Sequence, residues 1–528
     1  MIKTKQKILF LFLVCFSIYC ALTIGKSWDE GYLLNQGKVT LDYLLSFGTI
    51  DKDIYYREHY SPIYGSLKYL FVQIFSYKYQ IETIHIVNLI FSLSTIIGIG
   101  KLTKELFNQK VAKLVFLVLF FYPVFFGHMA FNGKDMVLAF CHVWIFYLVI
   151  RYLKKQNIKD KTNHYIIFLG VLTALATGVL LFFIGTLIPI FLFVLIEIFF
   201  LKMFISNNFS KKKFYIDFCK IFLIFYFLLI LFWIDTHPNI LVLPFNFLLE
   251  HFSLVSGEHW RGWPYNLLNG KYYLASQIPK LYFLVNLIYK SPEYFLLCYV
   301  IFFIIFIKSN IFFKKKFQFF SYKLILLISI LIISIIIGFF TPLIYDGMRH
   351  ILWSVPYFCI IPGLTIYYLI ENLNLVKSKL TLITLSLFII YFLFNFFMIT
   401  PYQYTYLNFF NGKVENRYKK FENDYWGSSL KELVKYSNFE KNNIIKIATC
   451  GVNPSILKKY LKEEGYSNLM YVPAEEADYI IMTNRVTLDN YQDKKSKELI
   501  NCFDKFKGED AFKVTRNGLL LSVARKIN

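Results

Sequence analysis

Long apolar runs recur through residues 1–400 of this chain, near 8–25, 83–100, 111–127, 136–153, 165–182, 184–201, 216–234, 281–307, 321–341, 350–370 and 379–399. A helix needs roughly 20 apolar residues to cross a hydrocarbon core. The pattern therefore predicts about eleven membrane spans. With 57 % of its residues hydrophobic and 17 % charged, the chain is not a water-soluble fold. Lys3, Lys5 and Lys7 precede the first run, which places the N-terminus in the cytoplasm. No small-residue cleavage site follows that run, so it reads as a span and not as a signal peptide.

A net charge of +23 would suit a nucleic-acid binder, but the basic residues sit in the wrong places for one. They cluster at 101–113, 151–161, 211–213, 308–316 and 377–379. Counted from an inside N-terminus, every cluster falls in a cytoplasmic loop, as the positive-inside rule requires. The reading is a multi-pass protein of the plasma (inner) membrane, with membrane lipids and no nucleic acid among its partners. An odd number of spans puts the C-terminus outside.

Polar chemistry then collects in outer segments. The first, 26–81, opens on Trp28-Asp29-Glu30 and contains Arg57-Glu58-His59-Tyr60-Ser61-Pro62-Ile63-Tyr64. The second is the turn 128–135, ending in Lys134-Asp135; the third, 235–280, carries His259, Trp260, Arg261 and Trp263; a fourth holds Asp346, Arg349 and His350. Paired charges at the bilayer midplane would mark a coupled transporter. Here the charges gather at the outer helix ends, which suits an active site at the interface.

Residues 401–528 are richer in charge and read as a separate extracytoplasmic α/β domain. Strands are expected at 445–450, 469–472 and 479–482, a helix at 454–464, and a final strand pair turning at Asn517-Gly518. No phosphate loop or nucleophile motif is present there, so an accessory or acceptor-binding role is expected. Of eight cysteines, Cys15, Cys20, Cys141, Cys219, Cys298 and Cys359 lie in or beside spans and read as small packing residues. Cys450 and Cys502 lie in the tail, and the sequence leaves their pairing open.

An acidic pair facing basic and aromatic groups at an outer membrane face fits transfer of a sugar from a lipid-linked phosphate. Such a donor needs cations for its phosphate, a carboxylate to deprotonate an acceptor hydroxyl, and aromatic walls for the sugar. Asp29 or Glu30 supplies the base; Lys134, Arg349 and Arg261 are the phosphate candidates. Trp28, Tyr60, Tyr64, Trp260 and Trp263 are the stacking candidates. His59, Asp135 and His350 are candidates for orienting the base or holding a divalent metal, and His59 reads equally as a plain loop histidine. No cofactor is required by this reading.

The same residues resemble, in order, the membrane glycosyltransferases that use polyprenyl-phosphate sugars. Trp28-Asp29-Glu30 is similar to the acidic pair in the first outer loop of glycosyltransferase family 39, the relatives of the protein O-mannosyltransferases and the lipid A aminoarabinose transferase. His59-Tyr60-Ser61-Pro62-Ile63-Tyr64 resembles the family's His-Pro-Pro-Leu stretch, and Lys134-Asp135 its acidic start of span four. The stretch from Asn269-Gly270-Lys271 through Pro279-Lys280-Leu281-Tyr282 to Ser291-Pro292, then Arg349-His350, Pro401 to Asn408, and Asp424-Tyr425-Trp426-Gly427 resemble later family segments. The chain departs at Tyr60-Ser61, at Lys280, and at Thr177, where the family often carries Arg. The resemblance implies a GT-C-like helical membrane fold, a polyprenyl-phosphate sugar donor, and an inverting single displacement. It also implies Asp29 as base, with Glu30 supporting it or binding a cation. It leaves the acceptor open among lipid, glycan and protein. A flippase or exporter of a lipid-linked glycan is the alternative, followed by a non-catalytic assembly subunit.

Overall fold

In the computed structural model, residues 2–50, 61–75, 77–156, 158–255, 263–340, 344–439, 444–488 and 498–527 are described. Each apolar run becomes helix, because a backbone in hydrocarbon must satisfy its own hydrogen bonds. Among the described residues, eight helices are long and apolar enough to cross a membrane, and a ninth crossing is made if Tyr282–Lys290 and Glu293–Lys308, bent by 110°, count as one. The two remaining runs are shorter helices, Gln109–Phe120 and Ile188–Leu201. Pro123 ends the first of these stretches by opening a separate short helix, Pro123–His128.

Burial orders the bundle. In the helix Arg349–Glu371, 94 % of the apolar window is buried, against 17 % in Val376–Met398 and 22 % in Thr4–Thr23. The first is surrounded by protein; the others present apolar side chains outward, as lipid-facing helices do. Cys15 and Cys219 lie on such exposed faces and are not core residues, unlike Cys20, Cys141, Cys298 and Cys359.

The segment after the first span is itself helical. Trp28–Leu45 begins where Glu30 Oε2 accepts a hydrogen bond from the Ser27 backbone N–H at 2.7 Å, which satisfies a donor left over at a helix start. This helix packs on Ile63–Ile74 at Gly37 and Gly65, where a side chain on Gly37 would lie 2.1 Å from the Gly65 backbone. The crossing is closed to anything but glycine.

In the tail, strands 469–471, 445–450, 479–483, 519–526 and 509–516 form one sheet in that spatial order. The first three are parallel, and the last two form a hairpin through Asn517-Gly518. The expected strands and the helix, Pro454–Glu463, are present. A disulfide joins Cys450 to Cys502. The tail is docked on the bundle: Gly25 N–H donates to Ser428 O at 3.1 Å, and Lys26 N–H to Tyr460 Oη at 2.6 Å.

Candidate active site at the end of the bundle

Trp28, Asp29 and Glu30 occupy the first turn of their helix, where successive side chains rotate by about 100°. Glu30 turns inward and is buried, its Oε1 3.1 Å from His85 Nε2. Asp29 turns out, its side chain 44 % exposed, with Oδ2 3.5 Å from Arg349 Nη1. The acidic pair is therefore divided: Glu30 caps and anchors, and Asp29 is presented.

Arg349 opens the most buried helix, and its side chain is only 10 % exposed. Its Nη1 also lies 3.6 Å from Asp346 Oδ2. Its guanidinium rests 4.7 Å from the Tyr345 ring and 5.1 Å from the Trp426 ring, within cation–π range. Asp346 and Gly347 adopt left-handed backbone, φ 57° and 69°. That turn is held by a hydrogen bond from the Gly347 N–H to Tyr282 Oη at 2.8 Å. Lys134 and Asp135 start the helix Gly133–Lys155, half-buried; Asn132 Nδ2 donates to Asp135 Oδ2 at 2.8 Å. Arg349 and Asp29 are within electrostatic reach of Asp135. His350 packs on Tyr345, ring centres 5.1 Å apart, and its buried Nε2 has no hydrogen-bond partner among the described residues.

Trp28 and Trp263 meet edge to face, ring centres 5.7 Å apart. Tyr64 is buried, its hydroxyl donating to Asn88 Oδ1 at 2.5 Å and its ring packed on Phe91. That burial removes it from the stacking candidates: the ring has no face left for a sugar. His59, Tyr60, Trp260 and Arg261 lie outside the described residues. No group of three His, Cys, Asp or Glu side chains among the described residues could hold a metal ion.

Several members of the site carry no sequence signal of their own. Arg485, from the tail, donates to Asp346 Oδ1 at 2.7 Å and lies 3.6 Å from Glu422 Oε2. Burial, opposed by Arg485 and reinforced by Asp346, pushes the Glu422 carboxyl up to about 7. Lys68, buried on helix Ile63–Ile74 with its Nζ 4.9 Å from the Tyr64 ring, is pushed down to about 8 by burial, against the pull of Glu30 and Asp29. The Asp424-Tyr425-Trp426-Gly427 segment, which the sequence does single out, also packs into the site. Asp424 accepts from the Ser428 and Ser429 N–H groups, both at 2.8 Å. Tyr425 Oη is 2.7 Å from His128 Nε2, and Trp426 Nε1 donates to Asp346 Oδ2 at 3.1 Å. Burial, with Arg349 and Lys290 nearby, pushes His128 down to about 3, so it is neutral at pH 7.

A half-exposed carboxylate beside a buried guanidinium, with indole rings adjacent, can take a proton and hold an anion in one place. Residues 60–233 match the family described as Dolichyl-phosphate-mannose-protein mannosyltransferase. No curated protein sequence matches the chain. Among solved structures, the fold is similar to ArnT from Cupriavidus metallidurans in the apo state, at 12 % identity and TM-score 0.51, over 99 % of this chain and 98 % of that one. It is similar to the same protein bound to undecaprenyl phosphate at 12 % identity and TM-score 0.50, with the same coverage. The apo Archaeoglobus fulgidus oligosaccharyltransferase is similar at 11 % identity and TM-score 0.48, over 90 % of this chain and 69 % of that one. The helical bundle with its sheet-bearing tail has an ArnT-like fold, and residues 60–233 within it are similar to the dolichyl-phosphate-mannose-protein mannosyltransferase family.

Proposed function

We propose that the chain transfers a sugar from a polyprenyl-phosphate donor to an acceptor hydroxyl by inverting displacement, with Asp29 as general base. The observation that carries this reading is the Asp29–Arg349 contact at 3.5 Å, a base and an anion ligand side by side. Asp29 takes the acceptor proton. The acceptor oxygen forms its bond to the anomeric carbon as the bond from that carbon to the phosphate oxygen breaks. The electron pair leaves with polyprenyl phosphate, whose charge Arg349 and Lys134 bind. Trp28 and Trp263 flank the sugar. The ArnT likeness with undecaprenyl phosphate bound supports a polyprenyl carrier.

Residues 1–400 carry the chemistry through segments 26–81, 128–135 and 235–280, and 401–528 form the extracytoplasmic domain. The Cys450–Cys502 disulfide supports that side, since disulfides persist in oxidising compartments. The test is release of free polyprenyl phosphate from a labelled donor by the purified protein in lipid nanodiscs. Transfer without that release would overturn the reading.

A further inference from the structure

The tail supplies a cation to the site as well as covering it. Arg485 is 1 % exposed, with Nη1 2.7 Å from Asp346 Oδ1 and 3.6 Å from Glu422 Oε2. Its guanidinium lies 5.0 Å from the rings of both Trp28 and Trp263. The other oxygen of Asp346 accepts from Trp426 Nε1 and stands 3.6 Å from Arg349 Nη1, and the same Nη1 is 3.5 Å from Asp29. Glu422, Arg485, Asp346, Arg349 and Asp29 thus form one row of alternating acidic and basic side chains running from the tail to the exposed carboxylate.

The backbone around Arg485 is held from two directions. Cys502 N–H donates to Arg485 O at 2.9 Å, and Thr483 Oγ1 donates to Gly451 O at 2.8 Å. Gly451, at φ 67°, packs so closely that a side chain there would lie 2.4 Å from Arg485 Cβ. The disulfide ties Cys450, before that glycine, to Cys502. Arg485 is therefore fixed by its frame, independently of its charge partners.

We propose that Arg485 is a positioning residue for sugar transfer: by occupying one oxygen of Asp346 it divides that carboxylate between two guanidinium groups and leaves Arg349 turned toward Asp29 and the donor phosphate. This rests on the transferase reading above. A buried carboxylate left with a single guanidinium takes it in a two-pronged pair. Without Arg485, Asp346 draws Arg349 away from Asp29, and a small displacement of a positioned group costs rate steeply.

The experiment is a double-mutant cycle. In nanodiscs, Arg485→Gln should lower kcat for polyprenyl-phosphate release by about 10-fold or more, with a smaller change in donor KM. The same substitution in an Asp346→Asn background should cost far less, because the carboxylate through which Arg485 acts is already neutral. Arg485→Lys should recover part of the rate. Additive losses would overturn the proposal. A second cycle, Arg485→Gln with Arg349→Gln read by thermal unfolding, needs no activity. Non-additive Tm shifts are expected because both residues share Asp346, and additive ones overturn the coupling. A folded wild-type chain that releases no polyprenyl phosphate counts against the transferase reading, and the unfolding cycle then decides the coupling separately.

Discussion

Asp29 and Glu30 are consecutive in the chain, yet the Asp29 side chain is 44 % exposed beside Arg349 while Glu30 is buried against His85 and the Ser27 N–H. One helical step separates an exposed carboxylate from one held inside the fold.

Asp29→Asn should abolish turnover, by about 10²-fold or more, with little change in Tm, because Asp29 is half-exposed and the buried Arg349 keeps Asp346 as a partner. Near-normal sugar transfer by this variant in nanodiscs would remove Asp29 as base.

Glu30→Gln should act on the fold first. It weakens the helix-start bond to Ser27 and the contact with His85, at roughly 1–3 kcal/mol for a buried charged hydrogen bond. A drop in Tm with kcat per folded molecule kept is the expected pattern; a lost kcat at unchanged Tm would return Glu30 to the chemistry.

Arg349→Lys keeps the charge and loses the planar fork. Apparent donor affinity should fall even so, and fall further in Arg349→Ala. Unchanged donor affinity in both Arg349→Ala and Lys134→Ala would assign these residues to lipid headgroups.

Glu422 gives the fold a pH dependence. Its carboxyl stands at about 7 in the fold against an ordinary 4.5, so the ionised form is the one the fold disfavours. Its contribution is best below pH 4.5, is lost as pH rises to 7, and is constant above. In Tm measurements between pH 5 and 7.5, Glu422→Gln should remove part of the decline seen in the wild type. Parallel curves would count against this assignment.

The Cys450–Cys502 bridge spans 52 residues of sequence, a closure worth about 4 kcal/mol in the chain-entropy account. The Cys450→Ala, Cys502→Ala variant should lower tail stability and transfer rate together, since the bridge frames Arg485. Limited proteolysis alongside the transfer assay checks it. For topology, a reporter active only outside the cell should be active when fused after Asn528, and a cysteine placed in 154–162 should be shielded from an impermeant thiol reagent.

The sequence by itself determined the helical membrane class, because apolar runs of spanning length have one stable backbone solution in hydrocarbon. It also located the tail strands at 445–450, 469–472 and 479–482 and the helix at 454–464, and it drew attention to Asp29, since adjacent carboxylates at a span end are conspicuous. Only the tertiary structure decided which of the two carboxylates faces water, a matter of helical phase against His85. It alone withdrew Tyr64 from the site, because its hydroxyl meets Asn88 across a helix pair. It brought in Arg485, a residue 456 positions after Asp29 by subtraction of their numbers. Nothing local to Asn484-Arg485-Val486 marks a buried cation; its partners Asp346, Glu422, Trp28 and Trp263 come from four separate segments. Periodicity reports what a segment does with its own backbone and its solvent, whereas a row of alternating acidic and basic side chains exists only once distant segments share one low-dielectric space.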